Sequence, residues 1–177
     1  LVYDGRRYDY FKKELINALK IVNGGHININ KMTGSWAGAM GQCQFMPSSF
    51  INYATDWDKD GSKNIWTSKP DVFASAANYL KKVGWSDKIT WGRKIFIGNY
   101  NGKLYEKKYN LLSYWSSKGI LKANKEKLPN VKLKARLIIP DGYKNYGYLA
   151  YKNFDSILSW NRSNYFAIAV GTLADTI

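Results

Sequence analysis

Three aspartates at alternate positions, Asp56, Asp58 and Asp60, run straight into Gly61 and form the densest group of metal-ligand types in the chain. Oxygen donors at the first, third and fifth places of a loop, with glycine at the sharp turn in the sixth, suit a hard cation such as calcium. Ser62 can add a backbone carbonyl, and Asn64 occupies the ninth place. The twelfth place, where a bidentate glutamate would close the site, holds Thr67. Asp71 follows four residues later and is the expected replacement in a longer loop. Three uncompensated carboxylates this close would repel one another, so a structural Ca2+ is expected on Asp56, Asp58, Asp60, Ser62 and Asp71. The alternative is a solvated acidic loop.

Other chemistry is scarce. The single cysteine, Cys43, and single histidine, His26, exclude an internal disulfide and a Cys/His metal cluster. Nothing beside His26 resembles an oriented base for a cysteine nucleophile. The only glutamates are Glu14, Glu106 and Glu126. Glu14, within Lys12-Lys13-Glu14-Leu15, reads as exposed on a helix, and the other two lie among lysines. A second feature is the small-residue segment from Gly34 to Gly41, which lets backbone approach backbone or a ligand closely.

The elements that must hold these groups follow from periodicity. Residues 8–22 predict a helix with Phe11, Leu15, Leu19 and Val22 inward, ended by Asn23-Gly24-Gly25. Pro47 at a first helical position, or Ser48 as a cap, predicts a short helix through Tyr53. Ser68 predicts the cap of a third, with Val72, Phe73, Ala76, Ala77, Leu80 and Val83 inward and Gly84 as its stop. From Ile89 the texture changes to short alternating runs: Ile95-Phe96-Ile97, the turn pair Asn101-Gly102, a short helix over 111–118 and a strand over 133–139. Residues 163–175 return to helical spacing, with Phe166, Ala169, Val170 and Leu173 on one side. The expected class is α+β, with a helical core over 1–86, a small β-rich insertion over 87–150 and a return to the core over 151–177.

Of 177 residues, 45% are hydrophobic and 23% charged, a globular composition. No apolar run approaches the roughly 20 residues of a membrane helix. The net charge of +14 calls for an anionic neighbourhood, which nucleic acid, a membrane surface or a carboxylated wall polymer would each supply. The chain opens at Leu1, just before an amphipathic segment, and reads as part of a longer polypeptide.

The run Gly34-Ser35-Trp36-Ala37-Gly38-Ala39-Met40-Gly41-Gln42-Cys43-Gln44-Phe45-Met46-Pro47-Ser48-Ser49 closely resembles the signature of the lytic murein transglycosylase B family. The resemblance continues through the acidic loop, Ser75-Ala76-Ala77-Asn78-Tyr79-Leu80 and Gly84-Trp85. It resumes at Asn153-Phe154-Asp155 and Trp160-Asn161-Arg162-Ser163-Asn164-Tyr165-Phe166-Ala167. It implies a lysozyme-like core that cleaves the β-1,4 bond after N-acetylmuramic acid and leaves 1,6-anhydro ends. The family's catalytic glutamate sits on a Glu-Ser/Thr-x-x-Gly-like turn upstream of the 8–22 helix. No such motif occurs here, so no catalytic residue is expected in this chain and the chain alone is expected to be inactive.

By the same resemblance Ser35 and Gln44 hydrogen-bond the glycan, Ser35 through its acetamido group. Phe45 and Met46 are expected to wall the cleft, Asn78 and Tyr79 to line the sugar groove, and Asn161 and Ser163 to face it. Each has a plainer reading, as turn chemistry, core packing or helix capping. No cofactor is expected for the chemistry. The expected partners are peptidoglycan glycan strands and other cell-wall enzymes, with a monomeric chain in the periplasm or envelope of a Gram-negative bacterium. Two other functions fit less of the sequence. One is a non-catalytic peptidoglycan- or calcium-binding module. The other is a nucleic-acid binder, which would gather its lysines rather than scatter them.

Overall fold

A computed structural model describes residues 1–3, 5, 7–98, 100, 102, 108–140 and 145–177. Glu106 and Asn101 lie outside the described residues. The chain is α+β and divides into two compact units, Leu1–Lys82 and Val83–Ile177. No helix among the described residues is long and apolar enough to cross a membrane.

The first unit holds α1 (Tyr8–Asn23), a 3-10 turn (Ile29–Lys31), α2 (Pro47–Tyr53) and α3 (Lys69–Lys82). The helices stand where periodicity predicts them, but their faces differ. On α1 the buried residues are Glu14 and Ile21, whereas Leu15 and Leu19 are about half exposed. Glu14 is therefore not the surface residue its lysine neighbours suggest. A carboxylate can occupy a core position when donors meet it there, and α2 supplies them. Pro47 opens α2 as expected, but Ser48 is not its cap: Met46 holds that place with no side-chain bond. On α3 the buried line is Asp71, Val72, Ser75 and Tyr79, and Phe73 is exposed. Ser75 can sit inside because its Oγ accepts the Thr55 N–H at 2.9 Å.

Residues 34–45 fold into a tight double turn, with antiparallel bridges Gly34–Met40 and Met40–Phe45. Gly41 is required there: it has φ +60°, and a Cβ would stand 2.6 Å from the Ile65 carbonyl oxygen.

The second unit is an antiparallel sheet of order β2-β4-β5-β1-β3 with helices on both faces. The strands are β1 (Gly92–Phe96), β2 (Asn110–Leu111), β3 (Leu121–Lys122), β4 (Lys134–Ile138) and β5 (Tyr146–Ala150). Ile95, Leu137 and Leu149 pack with Trp115 of α4 (Leu112–Ser117). Ile138, Tyr148 and Ala150, on the opposite face, pack with α5 (Asn153–Trp160) and α6 (Asn164–Ala174). A strand covered on both sides reads as a continuous apolar run, as Leu137-Ile138-Ile139 does. The second unit thus runs from Val83 to the last residue, with α5 and α6 on the sheet. Periodicity missed α5 and rotated α6, whose buried residues are Ala167, Ile168 and Gly171 while Val170 and Leu173 are exposed.

Gly171 explains the rotation, because a bare backbone lets α6 lie flat on the Trp91 ring. A Cβ at this position would fall 2.3 Å from Trp91 Cδ2. Trp91 is held by Phe154 at 6.2 Å and donates from Nε1 to Asp175 at 3.1 Å. Gly171→Ala is expected to destabilise by about 1–3 kcal/mol, although alanine is the better helix former by about 1 kcal/mol. Thermal unfolding checks this; a melting temperature equal to or above wild type would mean that Trp91 yields.

Candidate functional site

The double turn, α1 and the start of α2 enclose a cavity of about 430 Å³. Its lining includes Glu14, Ser35, Trp36, Ala37, Met46 and Pro47. Ser35 N donates to the Ala39 carbonyl at 2.7 Å, and Ser35 Oγ accepts the Ala39 N–H at 3.1 Å. A hydroxyl has one proton and two lone pairs, so an Oγ that accepts from Ala39 keeps its proton for an outside acceptor. Met46 contributes an apolar wall.

The sequence reading gave Trp36 no separate role and took Glu14 for a surface residue. Trp36 is 84% exposed at the cavity's edge, an unusual setting for the largest apolar side chain. Its position inside a glycine-rich run was the available signal. Glu14 is 6% exposed. One of its oxygens accepts the Ser48 N–H at 2.8 Å and the other the Ser48 hydroxyl at 2.6 Å. Both oxygens are thus committed to capping α2 from a neighbouring helix, in place of the cap Met46 does not provide.

Gln44, Phe45, Asn78 and Tyr79, of the same unit, do not line this cavity. Gln44 holds φ +51° and donates from Nε2 to the Gly41 carbonyl at 2.9 Å. Phe45 is buried, with ring contacts to Tyr53 and Tyr79 at 6.5 and 5.7 Å. Asn78 donates to the Tyr53 carbonyl at 2.8 Å, and burial together with the nearby Tyr53 raises the Tyr79 phenol above its ordinary pKa. In the second unit Asn161 Oδ1 accepts the Ser163 N–H at 3.0 Å, and Ser163 Oγ caps α6 by accepting the Phe166 N–H at 3.3 Å. The structure brings Ser35 and Met46 to one cavity.

In the acidic loop Asp56, Asp58 and Asp71 each direct a carboxylate oxygen to one point, with those atoms within 4.8 Å of one another. Asp71 is fully buried, and its oxygens accept the N–H groups of Trp57 and Asn64 at 2.7 Å each. Asp56 Oδ2 accepts the Gly61 N–H at 3.0 Å. Its Oδ1 is buried with no hydrogen-bond partner, the one such side-chain atom among the described residues. A carboxylate with one orphaned oxygen, grouped with two further carboxylates, has the donor chemistry of a hard-cation site. Asp60 lies outside the group, its Oδ1 accepting the Ser62 N–H at 2.8 Å. Ser62 Oγ donates to the His26 carbonyl at 2.9 Å, and His26 Nδ1 accepts the Lys63 N–H at 3.3 Å. Burial and the Lys63 charge hold His26 below the ordinary imidazole pKa, with Asp56 opposing. His26 thus ties the loop to the end of α1.

Cys43 is buried, donates to the Val72 carbonyl at 3.5 Å, and has its thiol pushed up to about 11 by burial. It is a core residue and not a nucleophile.

Residues 1–175 match the family described as transglycosylase SLT domain. Membrane-bound lytic murein transglycosylase B of Escherichia coli K12 is 34% identical over 97% of this chain and 47% of its own length. The structure of SltB3 from Pseudomonas aeruginosa in complex with NAG-anhNAM-pentapeptide superposes with a TM-score of 0.93 at 39% identity, over 99% of this chain and 48% of that one. The Escherichia coli lytic transglycosylase Slt35 in complex with calcium gives 0.80 at 32% identity, over 97% and 54%. The chain spans about half the length of these relatives. A match that runs through the glycine-rich turn, the acidic loop and the sheet unit alike leaves one conclusion: the chain belongs to the transglycosylase SLT domain family.

Proposed function

We propose that this chain is the glycan-binding part of a lytic transglycosylase. Its reaction would cleave the β-1,4 bond between N-acetylmuramic acid and N-acetylglucosamine in peptidoglycan and leave 1,6-anhydromuramic ends. The observation that carries this reading is the cavity beside Ser35, edged by an exposed tryptophan, in a chain of this family. The reaction needs one carboxyl group. It protonates the leaving oxygen, then accepts the C6 hydroxyl proton as that oxygen attacks C1, so water is not the nucleophile. The acetamido group of the sugar can stabilise the cationic centre, which removes the need for the second carboxylate of ordinary glycosidases.

The residues present divide the work of holding the sugar. Ser35 would donate its hydroxyl proton to the acetamido carbonyl, Trp36 would offer its ring face to a pyranose, and Met46 with Ala37 would exclude water. Fixing the acetamido group restricts how C6 and C1 meet, which is where an intramolecular attack gains its rate. Gln44 in the left-handed region supports a role outside folding, since backbone strain of this kind, about 1–3 kcal/mol, clusters at ligand sites. Asp56, Asp58 and Asp71 would hold a Ca2+ ion that joins the loop to α3. The reading places the protein in the bacterial cell envelope, in the periplasm of a Gram-negative cell.

Glu14 is the one carboxylate among the described residues lining the cavity, and both its oxygens are committed to Ser48. Purified peptidoglycan incubated with this chain is therefore expected to yield no anhydromuropeptides by mass spectrometry, while an N-acetylglucosamine tetramer shifts the NMR amide signals of residues 34–47. A product that Glu14→Gln abolishes would make Glu14 the acid. Absence of any shift at 34–47 would remove the glycan site.

A further inference from the structure

The positive charge of this protein is unevenly placed. Residues 83–177 carry sixteen of its 27 lysines and arginines but six of its thirteen aspartates and glutamates. The reading of Ser35 and its cavity uses none of that surplus. Within the sheet unit, β1, β3, the end of β5 and the segment after β3 enclose a second cavity, of about 510 Å³. Arg93, Lys94, Lys122, Asn124, Leu128 and Tyr151 are among its lining residues, and among the described residues no acidic side chain is.

Register explains why cations meet there. Lys122 pairs with Ile95, and Arg93 lies two residues before Ile95, so Arg93 and Lys122 stand on one face of the sheet. Tyr151, which is buried, and Arg93, which is exposed, both line this cavity. A guanidinium and an ammonium on one face of a sheet can hold a carboxylate together, and hydrogen bonds between charged partners are the stronger ones. Leu128 and Pro129 add an apolar lining. Lys122 already takes a carboxylate, that of Glu126, at 2.9 Å, but both side chains are largely exposed and such a pair exchanges readily.

We infer that this cavity is a docking site for a short anionic peptide, its carboxylate on Arg93 and Lys122 and its small apolar side chains against Leu128 and Pro129. The inference rests on the peptidoglycan reading to the extent that the peptide is the stem carried by the muramic acid. Nucleic acid fits less well. Among the described residues the one aromatic ring lining the cavity, Tyr151, is buried and offers a base no exposed platform.

The test titrates the isotope-labelled chain with three probes: the free stem tetrapeptide, the same peptide with its carboxyls amidated, and a peptide-free N-acetylglucosamine tetramer. The tetrapeptide should shift the amides of Arg93, Lys122, Asn124 and Tyr151, the amidated form should bind far more weakly, and the sugar should leave these amides unmoved. Arg93→Ala should lower the peptide affinity about tenfold, whereas Lys132→Ala, an equal charge change elsewhere on the unit, should lower it less than about twofold. Glu126→Gln frees Lys122 and should raise it. Should Arg93→Ala fail to fold, Lys122→Ala carries the same expectation. Equal losses in Arg93→Ala and Lys132→Ala would reduce the effect to bulk charge and overturn the inference. Tighter binding of a short single-stranded DNA to the same amides would also overturn it. Sugar-induced shifts at 34–47 without peptide shifts at the sheet would end this proposal and leave the glycan reading intact. Peptide shifts at the sheet without sugar shifts at 34–47 would do the reverse.

Discussion

Millimolar calcium is expected to raise the melting temperature of this chain by roughly 5–10 °C. A ligand bound by the folded state alone stabilises it by RT ln(1 + [L]/Kd), about 2.7 kcal/mol at a hundredfold excess over Kd, and each kcal/mol moves a chain of this size by about 2–4 °C. Part of that gain is relief of repulsion between the converging oxygens of Asp56, Asp58 and Asp71, and part is a partner for the buried Asp56 Oδ1. The three aspartates should not behave alike. Asp58 is exposed and makes one loop contact, accepting from the Ser68 hydroxyl at 3.0 Å. Asp58→Ala should therefore abolish the calcium response while changing the calcium-free melting temperature little. Asp71 is buried on two backbone N–H groups, so Asp71→Ala should cost about 2–4 kcal/mol even without calcium, by stranding both donors. Asp60→Ala should keep most of the response. Differential scanning calorimetry with calcium, magnesium and chelator separates these cases. A melting curve unmoved by calcium would leave the loop as a solvated turn.

Replacing Trp36 by alanine is expected to weaken binding of an N-acetylglucosamine oligomer by about tenfold, which corresponds to roughly 1.4 kcal/mol. A ring that is 84% exposed contributes little to folding, so the melting temperature should stay within about 1 °C. Trp36→Tyr should restore most of the affinity, because a phenol also offers a flat apolar face. Titration calorimetry on the three proteins decides the matter. Unchanged affinity in Trp36→Ala would place the sugar elsewhere in the cavity, and a large loss of stability would mark the ring as packing. Ser35→Ala should act in the same direction, since the Ala39 N–H it strands lies at an exposed turn and can be met by water.

Legibility of the fold followed the range of the forces involved. Helix positions depend on local spacing, caps and breakers. Residues 8–22 and 163–175 therefore read close to Tyr8–Asn23 and Asn164–Ala174, and Pro47 and Gly84 fell where they were expected. Family membership was legible too, because the run from Gly34 to Ser49 combines turn glycines with a helix start that close packing leaves little freedom to change. Which face of a helix goes inward was less legible, because another element decides it. Leu15 and Leu19 satisfy the helical period but yield the buried line to Glu14, for which Ser48 supplies both donors. α6 turns its Gly171 face inward because Trp91 lies flat beneath it, a fact held by a residue eighty positions away.

The candidate sites divide in the same way. Asp56, Asp58 and Asp71 were nameable from their order and type, since alternate carboxylates before a glycine suit a cation wherever the loop lies. That Asp60 turns to the Ser62 N–H instead, and that Asp56 keeps an oxygen without a partner, depends on how residues 56–71 close against α3. Ser35 was legible by resemblance, whereas the exposure of Trp36 and the commitment of both Glu14 oxygens were not. Residue type and spacing state what chemistry a side chain can do. Burial, and the partners that burial brings within about 3 Å, decide what remains free to do it.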